Sequence, residues 1–196
     1  MLWIALHLPS LSLESFAATL PEGTSEQPMA LMDAQRIVSA NAAAQALGVK
    51  PGLKRATALA LAPQITLGQA DIARDTQAIT SVAHAALSFT PAVTLEPGDA
   101  ADCAPHTVLL EVQASLRYFG GRIPLLRRLR AALVPLRHAV QCASAPTAQG
   151  AALLARTPQV SEGRHAADLS ALTRQLAHAP VWLLGAGRAH WEALQG

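Results

Sequence analysis

The chain has 196 residues, of which 51% are hydrophobic and 14% are charged. This composition allows a buried core in one domain or two small ones, and it excludes collagen-like, coiled-coil and disordered proteins. The 15 Lys and Arg against 13 Asp and Glu leave a net charge of +2, which is too small to identify a nucleic-acid-binding protein by itself.

The cysteine count and the first residues bear on the cellular compartment. Cys103 and Cys142 fit neither a disulfide scaffold nor a four-ligand zinc site, so they predict a reduced cytosol and unreactive thiols. The apolar segment 1–8 has no basic start and is interrupted by Pro9, which favours a buried strand over a signal peptide or a membrane span. We therefore expect a cytoplasmic protein without membrane contact.

Short strands and helices alternate in the first half of the chain. The predicted elements are a strand at 1–8, a short helix at 12–16, a hairpin at 29–39, helices at 41–47 and 53–61, a strand at 65–67 and a helix at about 71–87. Asn41 is a helix cap, Gly48 is the left-handed residue expected just after a helix, and Pro63 ends the next helix.

The second half predicts a sheet with helices. Its elements are strands at 91–96 and 108–112, a helix at about 123–136 with an apolar leucine stripe, a strand at 139–143, and a helix from Thr147 to about Arg156. Residues 97–105 have the composition of a loop. The whole pattern predicts an α/β or α+β fold, in which a mixed sheet is covered by helices on one face and interrupted by a small helical insertion at about 41–87.

The acidic residues and histidines show no recognisable metal-binding spacing. The candidates are Glu96, Asp99, Asp102, Glu111, His7, His84, His106 and His138. No His-x-x-x-His or Asp-x-Asp pair occurs among them, so solvated carboxylates and structural histidines are the simpler interpretation. The sequence also lacks a nucleophile elbow, a Walker loop and a glycine-rich dinucleotide fingerprint.

A cluster of arginines lies between residues 117 and 137. Its members are Arg117, Arg122, Arg127, Arg128, Arg130 and Arg137. These guanidinium groups could hold phosphates of DNA, or they could be the solvated face of an amphipathic helix. The sequence pattern leaves both interpretations open.

Three segments, taken together and in order, carry a family resemblance. They are WIALHLPSLSLESF, the block RIVSANAAAQALGVKPGLKRATALALAP, and FTPAVTLEP with its downstream partner VLLEVQASLRYFGG. In this order they resemble the Y-family, DinB/UmuC-type translesion DNA polymerases, and more narrowly their ImuB-like branch. The turn Gly48–Leu53 is similar to one in the family's fingers, and Leu116–Gly120 is similar to the run after its palm strands.

The resemblance implies a polymerase palm-like mixed sheet with a small helical fingers insertion. It assigns residues 1–10 to the first palm strand, 11–70 to the fingers, 71–180 to the palm, and 181–196 to the start of a truncated thumb. The family's palm holds Mg²⁺ with carboxylates from its first strand and from a later hairpin.

The first of these carboxylate positions is changed in this sequence. An active member has an aspartate nine residues before the glutamate matched by Glu14, and this position is Ala5. The companion acidic position two residues on is His7. Alanine cannot bind a metal ion, and imidazole suits zinc or copper better than Mg²⁺.

The family's second acidic site, an Asp-Glu dipeptide, is also missing. Counting from the preceding strand places it near Glu96-Pro97, and counting back from Glu111 places it on His106-Thr107. Asp99 is the carboxylate that pairs best with the acidic position retained in ImuB-like proteins. Ala5 and the region from Glu96 to Asp99 are expected on adjacent strands of one sheet.

The positions that bind the incoming nucleotide in the family are changed as well. The fingers tyrosine is matched by Ala42 and the fingers arginine by Gln45, which keeps a donor but loses the charged fork. The palm lysines are matched by Ala148 and Ala152, and the aromatic sugar-gating residue by Ser10 or its neighbour Pro9. Several such losses together predict a protein that is not an enzyme and needs no cofactor.

The resemblance implies a function in assembly. ImuB-like proteins are adaptors of a bacterial mutagenic translesion complex and join an ImuA-type protein, the sliding clamp and a separate error-prone DNA polymerase. Two alternatives remain open. One is an active polymerase that holds Mg²⁺ with Glu96, Asp99 or Asp102, and the other is a module that binds primer–template DNA through Arg117, Arg122, Arg127, Arg128 and Arg130.

Overall fold

The computed structural model describes residues 1–21, 23–96, 106–157, 164–180 and 183. The chain divides into two compact units, one formed by Met1–Pro9 with the chain from Ile79 onward, and the other by Ser10–Ala78. These boundaries lie close to the expected limits of the insertion at 10/11 and 70/71. The assignment of the units to palm, fingers and thumb stays a prediction, and the expected thumb start at 181–196 lies almost wholly outside the described residues.

The secondary structure follows the alternation predicted from the sequence. The strands are β1 (Trp3–His7), β2 (Met29–Asp33), β3 (Arg36–Ala40), β4 (Thr66–Gln69), β5 (Val93–Glu96), β6 (Thr107–Glu111), β7 (Gln141–Ala145) and β8 (Arg164–His165). The α-helices are α1 (Leu11–Ala17), α2 (Ala42–Ala46), α3 (Arg55–Leu61), α4 (Ile72–Ala86), α5 (Leu116–Phe119), α6 (Arg122–Leu133), α7 (Ala148–Arg156) and α8 (Leu169–Leu176). The sequence did not predict α5, β8 and α8.

The first unit is built on a five-stranded sheet with the order β5-β6-β1-β7-β8. Its central strand β1 pairs antiparallel with β6 on one side and β7 on the other. β5 adds to β6 in antiparallel orientation, and the two-residue β8 adds parallel to β7. This sheet confirms the predicted mixed α/β fold.

Helix α7 packs on one face of this sheet. Its buried alanines and Leu154 form a core with Ala5, Leu109 and Ala143, which come from three neighbouring strands. Small side chains on both sides let the helix and the sheet approach closely. Ile4 and Leu6 point to the opposite face of β1 and are also fully buried. The sheet is therefore covered on both faces at β1, whereas the sequence predicted helices on one face only.

Helix α6 carries the predicted leucine stripe. Leu125, Leu126, Leu129 and Leu133 are buried, as the helical spacing requires. The helix ends at Leu133 rather than at the predicted residue 136, and a 3₁₀ turn over Val134–Leu136 replaces its last turn. Pro135 lies in that turn, and its missing N–H and rigid ring account for the earlier end.

The second unit contains a sheet of its own, with the order β3-β2-β4. The hairpin of β2 and β3 is confirmed, and β4 adds to β2 in parallel. The sequence predicted these strands but described the insertion as helical, because nothing in a local pattern shows that strands at 29–40 and 66–69 join one sheet.

Local signals in the second unit act as the sequence indicates. The Asn41 side chain accepts a hydrogen bond from the Ala44 N–H at 3.0 Å, the geometry of a helix cap. Gly48 follows α2 with φ of 88°, a left-handed conformation that glycine adopts without strain. The capping residue also accepts from Met29 N–H and donates to Gln27, so it ties the helix start to the sheet.

A buried polar contact closes the second unit at the start of α4. The Asp75 carboxylate is 5% exposed and accepts a 2.7 Å hydrogen bond from the Ser15 hydroxyl. Arg74 donates to the same carboxylate oxygen at 3.3 Å. These bonds satisfy a carboxylate that would otherwise be costly to bury.

The described ranges contain several helices of different lengths. None of the helices there is both long and apolar enough to cross a bilayer.

The leucine stripe gives a stability prediction. Leu129→Ala removes a fully buried side chain from α6 and should lower the free energy of unfolding by about 2–5 kcal/mol. Ile123→Ala on the same helix is the matched control, because Ile123 is 71% exposed and should lose less than about 1 kcal/mol. Urea denaturation followed by circular dichroism measures both. Equal losses for the two variants would contradict this packing of α6.

Candidate functional site

One row of paired residues crosses four strands at the end of β1. The register pairs Glu96 of β5 with Thr107 of β6, Thr107 with His7 of β1, and His7 with Gln141 of β7. Directly paired residues of an antiparallel sheet point to the same face, so these four side chains form one line. We call this line the edge row.

The centre of the edge row is a hydrogen bond between side chains. His7 Nδ1 lies 3.1 Å from the Thr107 hydroxyl, which is itself 1% exposed. The His7 position of the first acidic site and the His106-Thr107 position, which was reached by counting back from Glu111, therefore meet in the fold. The backbone N–H of Leu8 also donates to the His106 carbonyl at 2.9 Å, which extends the pairing past the strand.

The carboxylate of the edge row is engaged by a cation. Glu96 Oε2 forms an ion pair with the guanidinium of Arg156, the last residue of α7. Both side chains are largely shielded from water, with 22% and 17% exposure, so solvent screens their attraction less than at the surface, while their burial also carries a desolvation cost. It joins the outer strand β5 to the end of α7.

Ala5 lies two residues before His7 on the same strand and faces α7. It is fully buried and has no side-chain atom that could bind a metal ion. The expectation that Ala5 and Glu96 lie on adjacent strands is wrong, because β6 lies between β1 and β5. The two strands are still only two spacings apart, about 10 Å.

The described residues do not fit a magnesium centre of the family's kind. Mg²⁺ prefers several oxygen ligands, and the edge row supplies an imidazole, a hydroxyl, an amide and one carboxylate that is paired with arginine. Over the described ranges, no three His, Cys, Asp or Glu side chains come close enough to share a metal ion. Asp99 and Asp102, the other candidates from the sequence, lie outside these ranges.

The positions matched to nucleotide-binding residues begin two helices. Ala42 is the first residue of α2 and Gln45 lies one turn later, with its side-chain amide donating to the Ala40 carbonyl at 2.6 Å. Ala148 is the first residue of α7, behind the cap Thr147. Their link to a nucleotide stays a prediction that rests on the family resemblance.

The candidate DNA-binding arginines lie on α5 and α6. Arg117, Arg127, Arg128 and Arg130 are exposed, and Arg122 is half-buried. The exposed members are located as required for contact with phosphates, and they alternate with the buried leucines of α6.

An aromatic cluster lies beside these arginines and was not predicted from the sequence. Tyr118 is 83% exposed and contacts Phe119 edge-on at 5.0 Å, while Phe119 stacks on Phe89 at 5.3 Å. The guanidinium of Arg128 lies 5.8 Å from the Phe119 ring. The sequence signal that could have indicated this cluster is an aromatic pair inside an arginine-rich segment. This pattern serves nucleic-acid binding as well as packing.

The paired strands β7 and β8 carry a second histidine contact that the sequence did not indicate. His165 Nδ1 lies 2.9 Å from the Ser144 hydroxyl. Burial lowers the pKa of His165, and the charge of Arg122 lowers it further, so the imidazole is neutral at pH 7.

Cys142 is buried on β7, in agreement with the expectation of an unreactive thiol, whereas Cys103 lies outside the described residues. Burial raises the pKa of Cys142 from 9.0 to about 11, against the opposing effect of Arg130 and Arg122. The thiol is therefore protonated at neutral pH, the form that does not attack electrophiles.

Comparison with protein families gives a match to the impB/mucB/samB family over residues 12–156. The chain belongs to this family. The matched region includes the second unit from residue 12 onward and the strands β5, β6 and β7 of the five-stranded sheet, whereas β1 and β8 lie outside it. A search of curated proteins found no match.

Solved structures of DNA polymerases have the same fold. A ternary complex of Dbh aligns with a TM-score of 0.69 and 15% identity, covering 90% of this chain and 50% of that one. DinB from Sulfolobus solfataricus aligns with a TM-score of 0.66 and 15% identity, covering 90% and 51%. The insertion ternary complex of Dbh DNA polymerase gives a TM-score of 0.69 at 15% identity, covering 90% and 51%. The chain spans about half the length of these proteins.

These matches confirm a Y-family polymerase-like domain and correct one prediction. The sequence predicted a protein that is not an enzyme, on the grounds that Ala5 and His7 replace carboxylates. That prediction is contradicted, because the chain belongs to the impB/mucB/samB family and the solved structures that share its fold include DNA polymerases. Ala5 and His7 alone do not decide the activity, since Asp99 and Asp102 lie outside the described residues.

The raised pKa of Cys142 predicts a pH dependence of stability. The unfolded thiol ionises near pH 9.0 and the folded thiol near 11, so the stabilisation is full below pH 9 and is lost as the pH rises to about 11. Over this pH range, the free energy of unfolding of the wild type, measured in urea, should fall by up to about 1.4 kcal/mol per pH unit more than that of Cys142→Ala. Parallel pH profiles of the two proteins would contradict the burial of this thiol.

Proposed function

We propose that this chain is the palm-and-fingers part of a protein that works on primer–template DNA in translesion synthesis in the cytoplasm. The impB/mucB/samB match over residues 12–156 and the shared fold with Dbh DNA polymerase support this role. The exposed arginines of α5 and α6 supply positive charge for a DNA backbone.

Within that process, we propose that the protein acts as an adaptor of the ImuB-like kind. It joins an ImuA-type protein, the sliding clamp and an error-prone DNA polymerase. The edge row carries this proposal, because its His7–Thr107 hydrogen bond and its Glu96–Arg156 ion pair are contacts that hold a sheet together. They stabilise the palm-like scaffold without drawing on a metal ion.

A second candidate is nucleotide transfer by this protein itself. The impB/mucB/samB match and the fold shared with Dbh DNA polymerase support it. Here Glu96 together with Asp99 or Asp102 would hold Mg²⁺, which would supply charge stabilisation for the triphosphate. Glu96 could bind the ion only after its carboxylate leaves Arg156.

Primer extension separates the two candidates. The protein containing this chain is incubated with a primed template, nucleotides and Mg²⁺ or Mn²⁺, alone and together with a separate error-prone polymerase. The adaptor proposal predicts that the protein increases extension by the other polymerase, and that Asp99→Ala leaves this increase unchanged. Robust extension by the protein alone, abolished by Asp99→Ala but kept by Asp33→Asn, would replace the adaptor proposal with nucleotide transfer. Asp33 is an exposed carboxylate at the end of β2 and serves as the matched control.

The arginines predict salt-dependent DNA binding. The double variant Arg127→Gln, Arg128→Gln should lower the slope of log affinity against log salt by about 1.4–1.8, since each lost phosphate contact removes about 0.7–0.9. Arg174→Gln, an exposed change on α8, should leave the slope unchanged. Fluorescence anisotropy of a labelled primer–template between low and moderate salt measures it. A wild-type slope in the double variant would exclude these arginines from the DNA contact.

A further inference from the structure

A cavity of about 290 Å³ opens in the first unit, beside the start of β7 and the end of α6. Its floor is formed by Leu6 and Cys142, which are register partners on β1 and β7. Leu133 and Val134 line one wall, and Leu154 of α7 lines another. Leu6, Leu133, Cys142 and Leu154 are at most 8% exposed, so Val134, which is 73% exposed, and the half-buried Val140 supply most of the apolar surface that a ligand can reach.

The mouth of this cavity is positively charged. Arg130, His138 and Gln141 line it, and each is a hydrogen-bond donor or can become one. The positive charge of Arg130 also acts on the cavity interior, because it lowers the pKa of Cys142 and so opposes the increase caused by burial. No carboxylate is found among the described residues that line the cavity, so a bound anion would meet no repulsion there.

The volume limits what the cavity can accept. Sites for nucleotides and drug-sized ligands have about 300–1,000 Å³, so 290 Å³ is at the lower limit of this range. One large apolar side chain fits this volume and leaves its backbone at the rim. Buried apolar anchors of this kind supply most of the binding energy at protein interfaces, with polar groups around them.

We propose that this cavity docks a segment of a partner polypeptide, which inserts one large apolar side chain and places a carboxylate against Arg130. The charge of the mouth selects an acidic segment, and the apolar floor selects its anchor. This inference rests on the proposed adaptor function, for which it supplies a surface that receives a partner. The arginine at the mouth adds orientation and specificity to the apolar contact.

Three capped peptides test the proposal on the whole 196-residue chain. They are acetyl-Asp-Leu-Phe-Asp-amide, its neutral form with Asn for Asp, and a form with Ala for both apolar residues. Binding is followed by chemical shift changes in the ¹⁵N-labelled protein. We expect the acidic apolar peptide to shift the amides of Val134, Val140 and Cys142, with the other two binding at least about fivefold more weakly, about 1 kcal/mol.

Two variants address the mouth without disturbing the core. Arg130→Gln should weaken the acidic peptide about five- to tenfold and leave the neutral peptide unchanged, since only the charge contact is lost. Val134→Glu places a negative charge beside the opening and should weaken the acidic peptide by more than tenfold. Arg127→Gln on the same helix and Val38→Glu in the second unit are the matched controls, because both residues are exposed and neither lines the cavity.

The outcomes separate this inference from the proposed function. Absence of binding at millimolar peptide, equal binding of the acidic and neutral peptides, or equal effects of Arg130→Gln and Arg127→Gln would each overturn it. Because the measurement involves neither DNA nor nucleotides, the docking site can stand if primer extension shows nucleotide transfer. It can also fail while the adaptor role survives through another surface. Thermal unfolding by circular dichroism confirms that each variant is folded.

Discussion

The pairing of β1 on both sides is the constraint on which the first unit depends. This strand has β6 and β7 as partners, so its register fixes the neighbours of every residue it carries. A shift by one residue would move the fully buried Leu6 to the face that now carries Ala5 and His7, and it would turn His7 toward the opposite buried face. The edge row, the cavity floor and the alanine-lined face under α7 are all set by this single alignment.

Features encoded in short segments could be predicted from the sequence. The caps Asn41 and Thr147, the glycine after α2 and the leucine stripe of α6 all depend on neighbours within one or two helical turns. Such interactions leave a signature in the residue pattern itself. The end of α6 was placed too late because the apolar stripe continues through Leu136, while Pro135 changes the backbone.

The long-range arrangement was beyond the sequence. Strand order depends on which distant segments pair, and neither the position of β6 between β1 and β5 nor the separate sheet of the second unit has a local signal. The same holds for the candidate site. His7 and Glu96 were named from family positions, but their partners Thr107 and Arg156 emerge only when strands and α7 come together. The prediction that the protein is not an enzyme rested on counting lost carboxylates, and it was wrong.

The separation of β1 from its partners has a consequence for biosynthesis. The contact between His7 and Thr107 spans 100 residues, whereas β2 finds β4 within the compact segment that emerges in between. At a translation rate of about 5–20 residues per second, the apolar strand waits about 5–20 s at the ribosome for its first neighbour. During this interval the backbone groups of β1 lack their strand partners, whereas β2, β3 and β4 of the inserted unit are all synthesised before β6.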